Sequence, residues 1–366
     1  MIRILHTSDI QLDAPFKFLG QKGQQHRQQL RDAFRRIVDL AINGDYDLML
    51  IAGDLFDDNR PSQTTVDFVS AQLGRLNIPV CILPGNHDSF NDKSIYRKAR
   101  FPQNVTVFSQ QPTIKELAEL NITVYGNAHL ARHSSLRPMQ ELVPTGTSQW
   151  HVAMAHGNKV RPDIPDPTRP IAAAEIGGSG MDYVALGDWH NFSDQSQGTV
   201  KAYYSGAPEP TGTDQKGAGY VACVELNEGS VQVQRKRVGS VTCDQLSVEV
   251  TGKSTGEILE TIKAQADPNL MLTVPLVGLR KLGIVLDAEK LKQELAPHFY
   301  HLEISDQAHP ELADVTPEAF PEELVAGKFV RLMQERIEQA SDDGQRRRAE
   351  QGLQIGLALL QGKKVL

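Results

Sequence analysis

Ser8-Asp9-Ile10-Gln11, Gly53-Asp54-Leu55-Phe56-Asp57, Gly85-Asn86-His87-Asp88 and Gly187-Asp188-Trp189-His190 follow one another along the chain, with Ala155-His156-Gly157 between the last two. Each closes a short apolar run that reads as a strand, the run over residues 46–52 being the most hydrophobic. A strand of a parallel sheet is buried on both faces, so it reads as a continuous apolar stretch. Open α/β sheets place their sites beyond the carboxyl ends of such strands. The five motifs therefore deliver Asp, Asn, Gln and His side chains to one edge. A mixed oxygen and nitrogen set of this kind suits two divalent ions.

Outward from these motifs, residues 21–43 and 62–76 read as helices. Leu30, Phe34, Ile37, Val38 and Ala41 recur at helical spacing, and Ser62 after Pro61 is a helix-start signal. With strands at 2–8, 46–52 and 80–83, the order is β-α-β-α-β, the signature of a parallel sheet covered by helices. Further short strands are expected at 105–108, 122–125, 150–155 and 183–186. Residues 203–208, 219–226 and 230–238 read as an antiparallel end to the sheet system, and 158–170 as a proline-rich surface loop. So many strands predict a second sheet packed on the first. Gly239-Ser240 is the expected boundary. Beyond it come a β-α-β-α-β unit, with Ser254 or Thr255 and Asp287 as helix caps, and a helical tail with an apolar stripe of Leu324, Val325, Phe329, Leu332 and Ile337. The expected division is 1–240, 241–310 and 311–366.

The 366 residues are 40% hydrophobic and 23% charged, with a formal net charge of −7, most of it after residue 240. That excludes a generally basic surface; nucleic acid would bind only along a local stripe or through metal ions at its phosphates. Cys81, Cys223 and Cys243 are odd in number and widely spaced, so no disulfide framework follows, and a reducing, cytoplasmic location is expected. Residues 1–6 read as a first strand rather than a signal peptide. No stretch approaches the length of an apolar membrane span.

Two ions ~3.5–4 Å apart need a bridging ligand, and a carboxylate neutralises both. Asp54, closing the most hydrophobic strand, is assigned that role. Asp9 and Gln11, two apart on an extended segment, point to the same side and face one ion. Asp9 as a helix cap, and Gln11 as a bystander with only a weak amide ligand to offer, are the other readings. Asn86 and His87 are adjacent and point apart, so Asn86 is assigned to metal and His87 to the substrate, donating a proton to the leaving oxygen. A histidine in this role has its second nitrogen held by a carboxylate, with Asp57 the candidate and Asp88 the alternative. His156 and the Asp188/His190 pair complete the ligands, and Trp189 is read as packing. His6 is expected to be buried in the first strand. His26, His129, His133, His151, His298, His301 and His309 are read as surface or packing residues, and Arg346-Arg347-Arg348 as a solvated helix face.

On these residues the chain resembles the calcineurin-like metallophosphoesterase superfamily, and within it the SbcD-type DNA repair nucleases and their YhaO-like bacterial relatives. The matching stretches are His6-Thr7-Ser8-Asp9, Leu12-Asp13-Ala14-Pro15-Phe16, Gly53 to Asp57 with Arg60-Pro61-Ser62, Pro84 to Asp88, and Tyr204-Ser205-Gly206-Ala207-Pro208. The resemblance implies a two-sheet α/β/β/α sandwich with a smaller C-terminal α/β capping domain. It implies one ion on Asp9, Gln11, Asp54 and His190, and another on Asp54, Asn86, His156 and Asp188. Two positions depart from the family pattern: Gln11 stands where its first motif has His, and Asp188 where its last motif has the first His. Both shift the ligand set toward oxygen, which favours Mn²⁺, or Mg²⁺, over Zn²⁺. The family further implies a dimer joined to an SMC-like coiled-coil ATPase.

The function expected is hydrolysis of DNA phosphodiester bonds by metal-activated water, as a repair exonuclease or endonuclease subunit, with His87 assisting the leaving oxygen. A scaffold of the same fold that binds DNA ends or a partner, and a phosphodiesterase for nucleotides or other small esters, are the alternatives.

Overall fold

The computed structural model describes residues 1–133, 137–160, 169–280, 287–310, 320–321 and 323–360. Part of the expected proline-rich loop and parts of the tail lie outside these. The described residues form two compact units, Met1–Cys243 and Asp244–Leu366.

The first unit is built on two six-stranded sheets. Its elements in chain order are β1 (Ile2–Thr7), α1 (Gly23–Asn43), β2 (Leu48–Ala52), α2 (Gln63–Leu73), β3 (Val80–Leu83), β4 (Val105–Val107), β5 (Thr113–Leu117), β6 (Ile122–Gly126), β7 (Trp150–His156), β8 (Asn158–Lys159), β9 (Pro170–Ile171), α3 (Ala173–Gly178), β10 (Tyr183–Gly187), β11 (Ser193–Asp194), β12 (Lys201–Tyr204), β13 (Tyr220–Asn227) and β14 (Ser230–Arg237). One sheet runs β14-β13-β1-β2-β3-β4, the other β11-β12-β10-β7-β6-β5. β1 to β4 are parallel, as are β6, β7, β10 and β12.

Alternating side chains of the two sheets meet in one core. Ile4, Leu48, Leu50, Ala52, Cys81 and Leu83 face Val124, Val152, Met154, Tyr183 and Ala185, all wholly or almost wholly buried. The strands are buried on both faces because helices cover the outside. α1 turns Leu30, Phe34, Ile37 and Val38 inward, and α2 turns Val66, Val69 and Leu73 inward. The outer face of the second sheet packs on Met139, Leu142, Ile171, Ile176 of α3 and Met181. This is the α/β/β/α sandwich expected.

One strand assignment differs from the sequence reading. The segment read as part of an antiparallel end, β12, pairs parallel with β10. The hairpin β13/β14 is the antiparallel end expected, and it joins the first sheet beside β1. Alternation reveals a half-buried strand but not its neighbour.

In the second unit, Asp267–Val277 is the central strand, parallel to Phe299–Asp306 and Val248–Glu249. Thr255–Lys263 and Ala288–Leu295 are helices capped by Ser254 and Asp287, and they supply Ile258, Ile262, Leu291 and Leu295 to a core with Leu272, Val274 and Leu276. Residues 241–250, read as one alternating strand, are two: Thr242–Gln245 and Val248–Glu249. Helices Val325–Glu338 and Asp343–Leu360 pack through Val330, Met333, Leu353 and Leu357. Of the expected stripe, Phe329 and Ile337 pack here, while Leu324, Val325 and Leu332 are exposed. No helix among the described residues is long and apolar enough to cross a membrane.

Candidate metal centre

The carboxyl ends of β1, β2, β3, β7 and β10 converge, and each carries one of the motifs. The loops after β1 and β2 stay paired beyond the strands. The Asp9 N–H donates to the Gly53 carbonyl at 3.0 Å, Gln11 N–H to Asp54 O at 2.9 Å, and Leu12 N–H to Leu55 O at 3.0 Å. Asp13 fastens the first loop to the start of α2, accepting from Ser62 N–H at 2.8 Å, Ser62 Oγ at 2.9 Å and Thr65 Oγ1 at 2.7 Å. Asp9, Gln11, Asp54 and Asp188 all adopt positive φ, at 52°, 47°, 52° and 90°. Such conformations cost roughly 1 kcal/mol or more each for non-glycine residues and gather where function over-determines the backbone. Gly53 shows why one position allows no side chain: at φ 98°, a Cβ there would lie 1.9 Å from His156 Nδ1.

Asp9, Asp54 and His156 are buried, and one ligand atom from each lies within 4.8 Å of the others. His156 Nε2 stands 2.9 Å from Asn86 Oδ1, 3.4 Å from Asp54 Oδ2 and 3.6 Å from Asp188 Oδ1. Its Nδ1 is 2.9 Å from the Ala52 carbonyl, which can only accept, so the Nδ1 proton is fixed and Nε2 turns its lone pair to the cage in the neutral ring. On the other flank, His190 Nε2 lies 3.8 Å from Asp9 Oδ1 and 3.5 Å from Gln11 Nε2. The Asp188 N–H donates to both oxygens of Asp9 at 3.1 Å, tying the second sheet to the first. Every metal-ligand candidate read from the sequence is thus in one cluster: Asp9, Gln11, Asp54, Asn86, His156, Asp188 and His190.

The electrostatics are those of a crowded anionic cage. Burial, with Asp54 nearby, pushes the Asp9 carboxyl up against the opposing pull of His190 and His156. Burial pushes Asp54 up too, but His156 and His87 outweigh it and hold that carboxyl well below the usual range. His156 is lowered by burial and raised more strongly by Asp54, Asp188 and Asp9, to about 10. Three carboxylates with an imidazole and an amide oxygen between them offer the donor set of a hard divalent cation.

His87 is placed as expected beside this cage, its backbone N–H donating to Asp54 Oδ1 at 3.0 Å. Its ring is held differently from the sequence reading. Nδ1 lies 2.8 Å from the Asp57 backbone carbonyl, while the Asp57 carboxylate is 3.7 Å away. Asp88, the alternative, points inward and braces the loops by accepting from Gly85 N–H, Phe56 N–H and Tyr96 Oη. Burial and the charge of Asp54 raise Asp88 to about 6.

Four neighbours were not singled out by the sequence. His129, wholly buried, lies with Nε2 2.7 Å from the His156 carbonyl. It follows β6 just as His156 ends β7, so the strand-end rule reaches it. Thr211 Oγ1 and Gln215 Nε2 lie 2.8 and 2.7 Å from His190 Nδ1. Arg169 Nη2 lies 3.2 Å from Asp188 Oδ1. These three sit in loops with no periodic signal.

Residues 2–192 match the family model for the calcineurin-like phosphoesterases. The chain belongs to that family. It is 25% identical over 262 residues to the uncharacterized metallophosphoesterase YhaO of Bacillus subtilis, covering 68% of this chain and 64% of that protein. It is 37% identical over 92 residues to the DNA double-strand break repair protein Mre11 of Haloferax volcanii, covering 24% of this chain and 20% of that protein. The chain thus spans less than two thirds of the length of these two relatives. Among solved structures, TT1561 of Thermus thermophilus shares 13% identity over 65% of this chain and 99% of that one, with a TM-score of 0.42.

Proposed function

We propose that this phosphoesterase is a divalent-metal-dependent phosphodiesterase acting on DNA. Asp9, Gln11, Asp54 and His190 would hold one ion and Asp54, Asn86, His156 and Asp188 the other, with Mn²⁺ or Mg²⁺ suiting the oxygen-rich set better than Zn²⁺. The observation that carries the reading is the gathering of Asp9, Asp54 and His156 ligand atoms within 4.8 Å at the joined strand ends, with His87 alongside. When bound, such ions supply Lewis-acid charge to the scissile phosphate and hydroxide at neutral pH.

The chain's own residues then have separable tasks. Asp54 is the carboxylate common to both ligand sets. His156 is orientated by the Ala52 carbonyl, so its Nε2 is already aimed at the cage and has only to give up a proton to bind. His87, anchored at Nδ1 by the Asp57 carbonyl, offers an N–H at Nε2 when protonated. That proton passes to the departing sugar oxygen, and the Asp57 carboxylate 3.7 Å away is the counter-charge to the protonated ring. DNA as the substrate is supported by the likeness to Mre11 over 92 residues, whose name states repair of DNA double-strand breaks. A homodimer with an SMC-like coiled-coil ATPase is the assembly this reading implies.

The test is degradation of linear DNA by purified protein stripped of metal and reloaded with Mn²⁺, Mg²⁺ or Zn²⁺. Cleavage with Mn²⁺ that falls at least about a hundredfold in His87→Ala, with metal content unchanged, is expected. No cleavage under any ion would favour the scaffold. Full activity in His87→Ala would remove His87 from the chemistry.

A further inference from the structure

The cage contains a cation of its own. Arg169 lies in a left-handed conformation, φ 53°, immediately before β9. Its carbonyl accepts from the Asn158 N–H at 3.0 Å, and a Cβ on Gly157 would lie 2.4 Å from that carbonyl oxygen. The backbone of Arg169 is therefore pressed against the residue that follows His156. A bare glycine permits the approach.

The side chain of Arg169 is 9% exposed. Nη2 reaches both oxygens of Asp188, at 3.2 and 3.4 Å, and Nε is buried with no hydrogen-bond partner among the described residues. A guanidinium carries five N–H donors, and burying its charge on one carboxylate with a donor unfilled is costly. Asp188 is shared in turn, since the same Oδ1 stands 3.6 Å from His156 Nε2. An acid with an arginine paired to it is neutral overall, as an imidazole would be. Unlike an imidazole, the pair brings a guanidinium to Asp188, with its Nε donor unfilled among the described residues. A planar fork of donors beside a metal site matches the oxygens of a phosphoryl group.

We infer that Arg169 is a phosphate-binding residue of this centre, aimed by Asp188 and donating N–H bonds to a non-bridging oxygen of the phosphoryl group. The inference rests on the phosphodiesterase reading. It concerns the phosphate alone, so the probe is inorganic phosphate rather than DNA.

The experiment is calorimetric titration of the Mn²⁺-loaded full chain with inorganic phosphate, with the metal content of each sample measured in parallel. In Arg169→Gln, phosphate affinity should fall about ten- to a hundredfold while the manganese content holds. Arg169→Lys should show a smaller loss, because an ammonium keeps the charge but not the fork. Phosphate binding unchanged in Arg169→Gln, or absent from the metal-loaded wild type, would overturn the inference. So would loss of manganese in step with phosphate, which would make Arg169 a support for the cage only. Should Arg169→Gln not fold, Arg169→Lys decides: wild-type affinity for phosphate contradicts the inference and a loss supports it. A failure to cut DNA leaves this result intact, and the two proposals fail separately.

Discussion

The two flanks of the cage are built by different means. On one, His156 is wholly buried, its Nδ1 proton is committed to the Ala52 carbonyl, and Asn86, Asp54 and Asp188 surround its Nε2. On the other, the His190 side chain is 22% exposed and its Nδ1 faces two partners of opposite demand. The Thr211 hydroxyl can accept a proton from Nδ1, whereas the Gln215 amide nitrogen can only donate to it. Gln215 is itself pinned, because its Oε1 accepts from the Thr211 N–H at 2.7 Å. Binding a cation through Nε2 requires Nδ1 to keep its proton, and so requires the Thr211 contact to win. One flank is fixed before any ion arrives; the other must choose.

Four variants break or sharpen that contrast, in descending order of effect. Asp54→Asn strikes both flanks at once. It should leave less than one tightly held ion per chain and reduce phosphodiester hydrolysis by about a thousandfold or more, as metal analysis and a cleavage assay would show. His156→Ala and His190→Ala separate the flanks. The first should lower manganese affinity, read by calorimetry on stripped protein, by about a hundredfold, and the second by about tenfold. Equal losses would erase the distinction. Thr211→Val removes the acceptor that lets His190 bind through Nε2, and a loss of up to about tenfold confined to the weaker binding step is expected.

The smallest effect lies outside the cage. Burial in β1 lowers His6 from its ordinary value to about 3. A histidine kept neutral in the folded chain takes up a proton on unfolding once the pH drops below its unfolded value near 6.5. Its contribution to stability is complete above that pH and shrinks as the pH falls toward 3. Denaturant titrations of metal-free protein between about pH 7 and 5 should show stability declining with acid, and a shallower decline in His6→Gln. An unchanged slope would assign the acid sensitivity to other groups.

The parts that the sequence made legible share one cause. Strands buried on both faces leave unbroken apolar runs, and the polar residue that ends such a run, as at Asp54 or His156, stands out against it. Placement was harder where the cause is tertiary. β13 alternates as a half-buried strand should, but nothing in the alternation says that it lies beside β1. His87 was expected to lean on a carboxylate, and the nearest acceptor is a main-chain carbonyl, which every residue carries and no side-chain pattern reveals. Arg169, Thr211 and Gln215 act from irregular segments, where spacing carries no information about direction. Asp188 was visible as a departure, but its pairing with Arg169 needed the fold.

The central claim is that distant side chains form a cage for a divalent pair shared by Asp54. Crystals of the protein grown with Mn²⁺, with data recorded at the manganese absorption edge, test it most directly. Two anomalous peaks are expected flanking the Asp54 carboxylate, one beside Asp9 and His190 and the other beside Asn86 and His156. Saturating manganese with no peak against Asp54 would contradict it.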